Sequence, residues 1–244
     1  MFKDNPIMLA LDYSDLSEAA TMLGKVRQHI GMIKIGLELF TAHGKSALEL
    51  GNMFNIPVFL DLKLFDVPTT VSRTTKVVCE QLAQCGGHHF LSVHAFGGKE
   101  MCQAAMKAAD SSNVSIVGIT ILTSATERDL GNLGFTDRRI GPRTVYAAEL
   151  VGQGGSLPYL DHFVCAPTQL SLMRQHMGDK ITLITPGIRE DTTKLDDHKR
   201  TSTVMGALKK GANWLVIGRP ITQAADPVYA ASVFADQADR ALHG

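Results

Sequence analysis

No excess of charge of either sign marks this 244-residue sequence: 24 lysines and arginines face 24 aspartates and glutamates. A neutral chain has no global field to draw in DNA, RNA or an anionic membrane, so those partner classes are excluded first. Cysteine is scarce. Cys79, Cys85, Cys102 and Cys165 show neither the CxxC pairing of zinc sites nor the density of a disulfide scaffold, and read as buried thiols in a reducing cytoplasm. No apolar run approaches the roughly 18 residues that span a bilayer, and the N-terminus lacks a charged-then-apolar signal, so no membrane association and a cytoplasmic location are expected. His88, His89 and His176 have no spacing partner suited to a metal. Linkers, charge blocks, low-complexity tracts and short repeats are also missing, which leaves one domain over residues 1–244.

What is present is alternation. Apolar strand-like runs fall at Pro6 to Leu11, Met32 to Gly36, Pro57 to about Leu62, Phe90 to His94, Val114 to Leu122, Phe163 to Cys165, Ile181 to Thr185 and Trp214 to Ile217. Helical patterns lie between them: one capped by Ser14 and running to about His29, then about Thr41 to Met53, Pro68 to Cys85, Lys99 to Ala109, Pro142 to Gly152, one capped by Thr168, Val204 to Lys210, and a last one from Pro227 to Leu242. Gly154 to Ser156 and the polar stretch Glu190 to Ser202 read as loops. Eight βα units in this length predict a closed (β/α)8 TIM barrel. A doubly wound open sheet would carry a glycine fingerprint after the first strand, where this chain has Asp12-Tyr13-Ser14.

The third run ends in three charges, Asp61, Lys63 and Asp66. Charges at the mouth of a buried strand are costly to desolvate unless they meet one another or a ligand. Alternate residues of an extended chain share a face, so Asp61 and Lys63 should point the same way. In a barrel they would meet Asp12 from the first strand and Lys34 from the second. Each close pair is worth roughly 4 kcal/mol before desolvation at an effective dielectric near 20. An ammonium held between Asp61 and Asp66 is favoured as the cation, which makes Lys63 a proton donor rather than a neutral amine.

Across the mouth, Pro186-Gly187-Ile188-Arg189 and Gly218-Arg219-Pro220 follow the last two strands, where barrels commonly bind phosphate. Glycine lets backbone amides approach an anion, and arginine supplies a two-pronged donor. The segment from Arg189 to Arg200 is placed to close over that phosphate. Thr123 and Ser124 could bond a polar ring or cap the following helix, and His94 could face the pocket or be a satisfied strand-end histidine. Met101 and Met106 read as core.

Taken together, ALDYSD, MIKIGLELF, FLDLKLFDVPTT, LTS, LITPGIR and VIGRPIT, in that order, resemble the orotidine 5′-phosphate decarboxylase family over nearly the whole chain. The resemblance implies a homodimeric (β/α)8 TIM barrel of the phosphate-binding type that needs neither metal nor organic cofactor and acts on orotidine 5′-monophosphate in pyrimidine biosynthesis. By resemblance, Asp12 would bind the ribose, Lys34 the ribose and a neighbouring carboxylate, and Asp61 would sit against the substrate carboxylate. Lys63 would protonate C6. Asp66 and Thr70 would reach the partner's site, Thr123 and Ser124 would contact the pyrimidine, and Arg189, Gly218 and Arg219 would hold the phosphate. Two departures stand out: His198 replaces the usual lid glutamine, and Thr69 replaces asparagine in the D-I-P-N-T run.

Three other readings are set against this one. A magnesium-dependent sugar-phosphate decarboxylase or synthase wants an acidic residue from the second strand, where this chain has Lys34. A Schiff-base aldolase needs a neutral lysine, and a nucleotide-binding barrel would bind without turnover.

Overall fold

The computed structural model describes residues 5–152, 159–190 and 201–244. Among them, eight parallel strands close into a barrel in sequence order, β1 pairing with both β2 and β8. The strands are β1 Ile7–Leu11, β2 Met32–Ile35, β3 Val58–Leu64, β4 His89–His94, β5 Val114–Ile119, β6 His162–Val164, β7 Thr182–Pro186 and β8 Trp214–Ile217. This is the expected (β/α)8 architecture.

Two apolar layers follow from the strand period of two. Ile7, Leu9 and Leu11 of β1, with Ile33, Ile35, Val58, Leu60, Leu91 and Val93, join the main core between barrel and helices. The alternate residues Met8, Ala10, Met32, Phe59, Phe90, Val117, Ile184 and Val216 form a second cluster, with Val164 and Trp214 packed against it. Phe90 is its hub, meeting Phe59 edge-on at 6.1 Å and Trp214 at 6.2 Å. That cluster plugs the barrel below the mouth, so strand positions one step further on, Asp12, Lys34 and Asp61, emerge above an apolar floor.

Local chemistry shifts several expected boundaries. The first helix, Leu16–Val26, is capped by Asp15, whose carboxylate accepts from the amides of Ser17 and Glu18, and not by Ser14. The pattern from Thr41 to Met53 is two helices, Leu37–His43 and Lys45–Met53, broken at Gly44 with φ +54°. Thr168 lies inside a 3-10 turn, Pro167–Gln169, ahead of the helix Leu170–Met177, and does not cap it. Pro68 opens the helix Pro68–Leu82 at its first turn, as expected. Met101 is buried and Met106 packs against the core. Gly154 to Ser156 lie outside the described residues.

The four cysteines are free and buried. Burial pushes the Cys102 and Cys165 thiols up to about 12, so they act as small apolar side chains.

His89 starts β4 and is wholly buried. Its Nδ1 accepts from the Val58 amide at 3.0 Å, so Nε2 carries the proton and donates to the Cys85 carbonyl at 3.2 Å. Burial lowers the pKa of His89, and also those of His88 and His94, below the ordinary histidine value of 6.5. A depressed histidine binds fewer protons folded than unfolded, so stability is complete above that value and is lost as pH falls below it. Melting temperature is therefore expected to drop between about pH 7 and about pH 5. His89→Asn, which keeps an acceptor for Val58 but does not titrate, should flatten part of that slope. A flat wild-type profile would show the reading to be wrong.

Candidate active site

The centre of the mouth is a break in regular pairing. Leu60 of β3 sits opposite Leu91 of β4, yet Leu64 sits opposite Val93, so β3 advances four residues while β4 advances two. The surplus is taken up by Lys63, whose φ of +53° lies in the left-handed region that a lysine rarely adopts. Asp61 and Lys63 do face each other, with Nζ 2.8 Å from Asp61 Oδ2. The alternation of an extended strand is not what brings them together. A bulge does it, and backbone strain of this kind concentrates at functional sites.

Ser92, buried on β4, holds the bulge. Its hydroxyl accepts from the Lys63 amide at 2.8 Å and donates to Asp61 Oδ1 at 2.9 Å. Asp61, itself almost fully buried, therefore has both oxygens engaged.

A second ion pair stands beside the first. Lys34 of β2 places Nζ 2.9 Å from Asp12 Oδ1, just past the end of β1. Two glycines permit this. A Cβ at Gly36 would come 3.0 Å from Lys34 Nζ, and one at Gly218 would come 3.3 Å from the Ala10 Cβ and 3.6 Å from Asp12 Oδ2.

On the opposite rim, Gly187 turns the chain out of β7 with φ +82°. Arg189 then lies buried, its amide donating to the Ser202 carbonyl at 2.9 Å and its Nη1 to the Ile188 carbonyl at 2.8 Å. Ser202 returns the contact through Gly187 O at 3.2 Å, so both ends of the intervening segment are tied to β7. Gly218 leads into the short helix Arg219–Thr222, its carbonyl accepting from Ile221 and Thr222.

These groups share one cavity of about 510 Å³. Asp12, Lys34, Asp61 and Lys63 line it from β1 to β3, Gly187 and Arg189 from the end of β7, which lies across the closed ring from β3, and Gly218 and Arg219 from the end of β8, next to Asp12; Thr123 also reaches it. Acid, ammonium and guanidinium groups are thus gathered over the apolar floor, where Phe59 and Val216 reach the cavity. A bound anion would meet cations at one end and a fixed carboxylate–ammonium pair at the other.

Other expected site residues lie elsewhere. Asp66 is exposed, its Oδ1 accepts from the Val67 amide at 2.6 Å, and among the described residues it forms no ion pair. Among the described residues Lys63 is consequently ion-paired with Asp61 alone, rather than held between Asp61 and Asp66. Thr70 and Ser124 are exposed, and neither lines the cavity. His94 is turned aside, stacked between Phe65 and Phe96 at 5.6 and 5.8 Å, with burial first and the Lys63 charge second holding it below the usual histidine range. His198 and most of the segment expected to close over the phosphate lie outside the described residues.

Some lining residues escaped the sequence reading. Tyr13 follows Asp12 into the cavity wall with Thr222 and Gln223. Burial pushes its hydroxyl up and a hydrogen bond to Thr222 opposes that. Its place right after a strand-end aspartate was the available signal. Ser92, which touches Asp61 and Lys63 without lining the cavity, had another: it is the polar position on the inward face of an apolar strand.

Comparison with known proteins agrees over the length of the barrel. The profile described as "Orotidine 5'-phosphate decarboxylase / HUMPS family" matches residues 5–234. Proteins named orotidine 5'-phosphate decarboxylase from Wolbachia pipientis subsp. Culex pipiens (strain wPip) and from Nitrosomonas eutropha (strain DSM 101675 / C91 / Nm57) are 37% and 36% identical. The first match covers 94% of this chain and 96% of the relative, the second 98% and 99%. The crystal structure of orotidine 5'-phosphate decarboxylase from Lactobacillus acidophilus superposes with a TM-score of 0.80 at 27% identity, covering 97% of this chain and all 100% of that one. The chain is a carboxy-lyase of the orotidine 5′-phosphate decarboxylase / HUMPS family.

Proposed function

We propose that this protein decarboxylates orotidine 5′-monophosphate to uridine 5′-monophosphate and carbon dioxide, a step of pyrimidine biosynthesis. The observation that carries the reading is the Lys63–Asp61 pair facing Arg189, Gly218 and Arg219 across one cavity. In the reaction the bond between C6 and its carboxylate breaks, carbon dioxide leaves, and the electron pair stays on C6. Lys63 stabilises that charge and gives C6 a proton from its ammonium. Asp61 crowds the departing carboxylate. Asp12 and Lys34 bind the ribose, Thr123 meets the pyrimidine, and the two arginines grip the phosphate. Binding energy from the phosphate, remote from the breaking bond, holds the ring against the pair.

No metal or organic cofactor is needed on this reading. The positions nearest Asp12 and Asp61 hold the ammonium groups of Lys34 and Lys63, which oppose a divalent cation. The magnesium-dependent alternative and this one separate cleanly. Purified, chelator-treated protein is expected to remove the ultraviolet absorbance of orotidylate, and loss of turnover with chelator would refute the cofactor-free reading.

A homodimer completes the proposal. Asp66 and Thr70 point out of their own cavity, and Phe65 and Val67 beside them are 64% and 62% exposed. Apolar side chains left bare around a charged residue at the rim suit a second copy, whose site Asp66 and Thr70 would enter. The free, buried thiols fit a reducing cytoplasm.

Arg219→Ala is expected to act mainly on the Michaelis constant, raising it by about 10- to 100-fold, since charge-assisted bonds are worth about 1.5–3 kcal/mol. Some loss of kcat is tolerable, because phosphate binding also orients the ring. An unchanged Michaelis constant would remove Arg219 from the phosphate site.

A further inference from the structure

Ser92 does not line the cavity, yet it touches both members of the pair that does. Its hydroxyl has one proton. Because the Lys63 amide donates into the oxygen, that proton is directed to Asp61 Oδ1, and Asp61 Oδ2 is left for the ammonium. The contacts close a ring: Lys63 amide, Ser92 hydroxyl, Asp61 carboxylate, Lys63 Nζ. The ring sits where the β3–β4 ladder shifts register, between Leu60 opposite Leu91 and Leu64 opposite Val93. There the serine gives the Lys63 amide a partner within the barrel.

We propose that Ser92 is a positioning residue for decarboxylation. It fixes the carboxylate plane of Asp61 and the left-handed backbone of Lys63 together, so that the ammonium is aimed at the reacting carbon. The inference rests on the decarboxylase reading above. A buried hydroxyl used twice has a structural purpose as well, so the test must separate aim from folding. Ser92 contacts neither phosphate nor ribose side, which makes the separation measurable.

The experiment compares wild type with Ser92→Ala, Ser92→Cys and Ser92→Thr, measuring kcat and KM for orotidine 5′-monophosphate, affinity for uridine 5′-monophosphate, and melting temperature. Ser92→Ala and the similarly sized, weakly bonding Ser92→Cys are expected to lose kcat by about 10- to 100-fold, the scale of a small misplacement of a reacting group. Their affinity for the product, which has no carboxylate to meet Asp61, should stay within about twofold of wild type, less than the ~1.4 kcal/mol that a tenfold change represents. Ser92→Thr, which keeps the hydroxyl on a branched side chain suited to a strand, should recover most of the rate. If Ser92→Ala does not fold, Ser92→Cys carries the comparison. Wild-type kcat in a folded Ala or Cys variant overturns the proposal. So does a fall in kcat, product affinity and melting temperature in parallel, which marks a merely structural role. A wild-type protein inactive on orotidylate refutes the decarboxylase reading itself, and this inference with it.

Discussion

Lys63→Ala is expected to abolish decarboxylation, with kcat falling by about four orders of magnitude or more. Two effects disappear together: a positioned proton donor, worth about 10²–10⁴, and a cation facing the developing charge, worth about 10²–10³. Proton donation is the part that water replaces poorly at this position, because the apolar plug formed by Met8, Phe59 and Phe90 lies directly beneath. Product affinity should change little, since the phosphate contacts proposed for Arg189 and Arg219 do not involve Lys63. Near-normal turnover in Lys63→Ala would end the proton-donor assignment. A companion variant tests the geometry. At φ +53° any residue with a Cβ is strained by about 1–2 kcal/mol, a cost glycine escapes. Lys63→Gly should therefore be as inactive as Lys63→Ala but measurably more stable in denaturant. If the glycine variant is instead less stable than the alanine one by the usual cost of a glycine, about 0.5–1 kcal/mol, the left-handed backbone carries no strain.

Asp61→Asn is the second large effect. The amide has almost the shape of the carboxylate, so the hydrogen bond from Ser92 to Oδ1 survives, while the group facing Lys63 becomes a donor opposite a donor. A kcat lower by about 10²–10³ is expected, as for removal of one well-placed electrostatic partner. The Michaelis constant distinguishes two roles. If Asp61 only orients Lys63, substrate binds as before. If its charge also crowds the substrate carboxylate, substrate should bind more tightly to Asp61→Asn even as the rate falls. Tighter binding is the outcome expected from the buried, doubly bonded carboxylate seen here. A retained kcat with a raised Michaelis constant would make Asp61 a simple binding residue.

The barrel was legible because its signal is periodic: apolar runs of strand length, each followed by a helical pattern, leave little choice of topology. The mouth residues were legible as types but not as geometry. Asp61 and Lys63 are paired, the neighbours that the strand period suggests, yet they meet through a bulge at Lys63 that no spacing rule encodes. Asp66 looked like a third member of the cluster because it is near in sequence. The bulge and the turn before Pro68 carry it outward instead, where its carboxylate binds the Val67 amide. Ser124 was read with Thr123 as one unit, but only Thr123 reaches the cavity. Ser92 was hidden by its ordinary residue type: a lone serine in an apolar strand announces itself only when the partners across the ladder are known. Helix caps failed for a similar reason. Ser14 and Asp15 are equally good caps by chemistry, and the exit direction of β1 chooses between them.

The greasy stopper across the barrel waist has a kinetic corollary. With Lys63 in its proposed role, replacement hydrogen ions would reach it only from the open mouth, above the apolar cluster. A ligand filling that opening would make the ammonium a single-shot donor, recharged after the product leaves, and turnover in mixed light and heavy water would record which isotope the lysine held at the moment of binding.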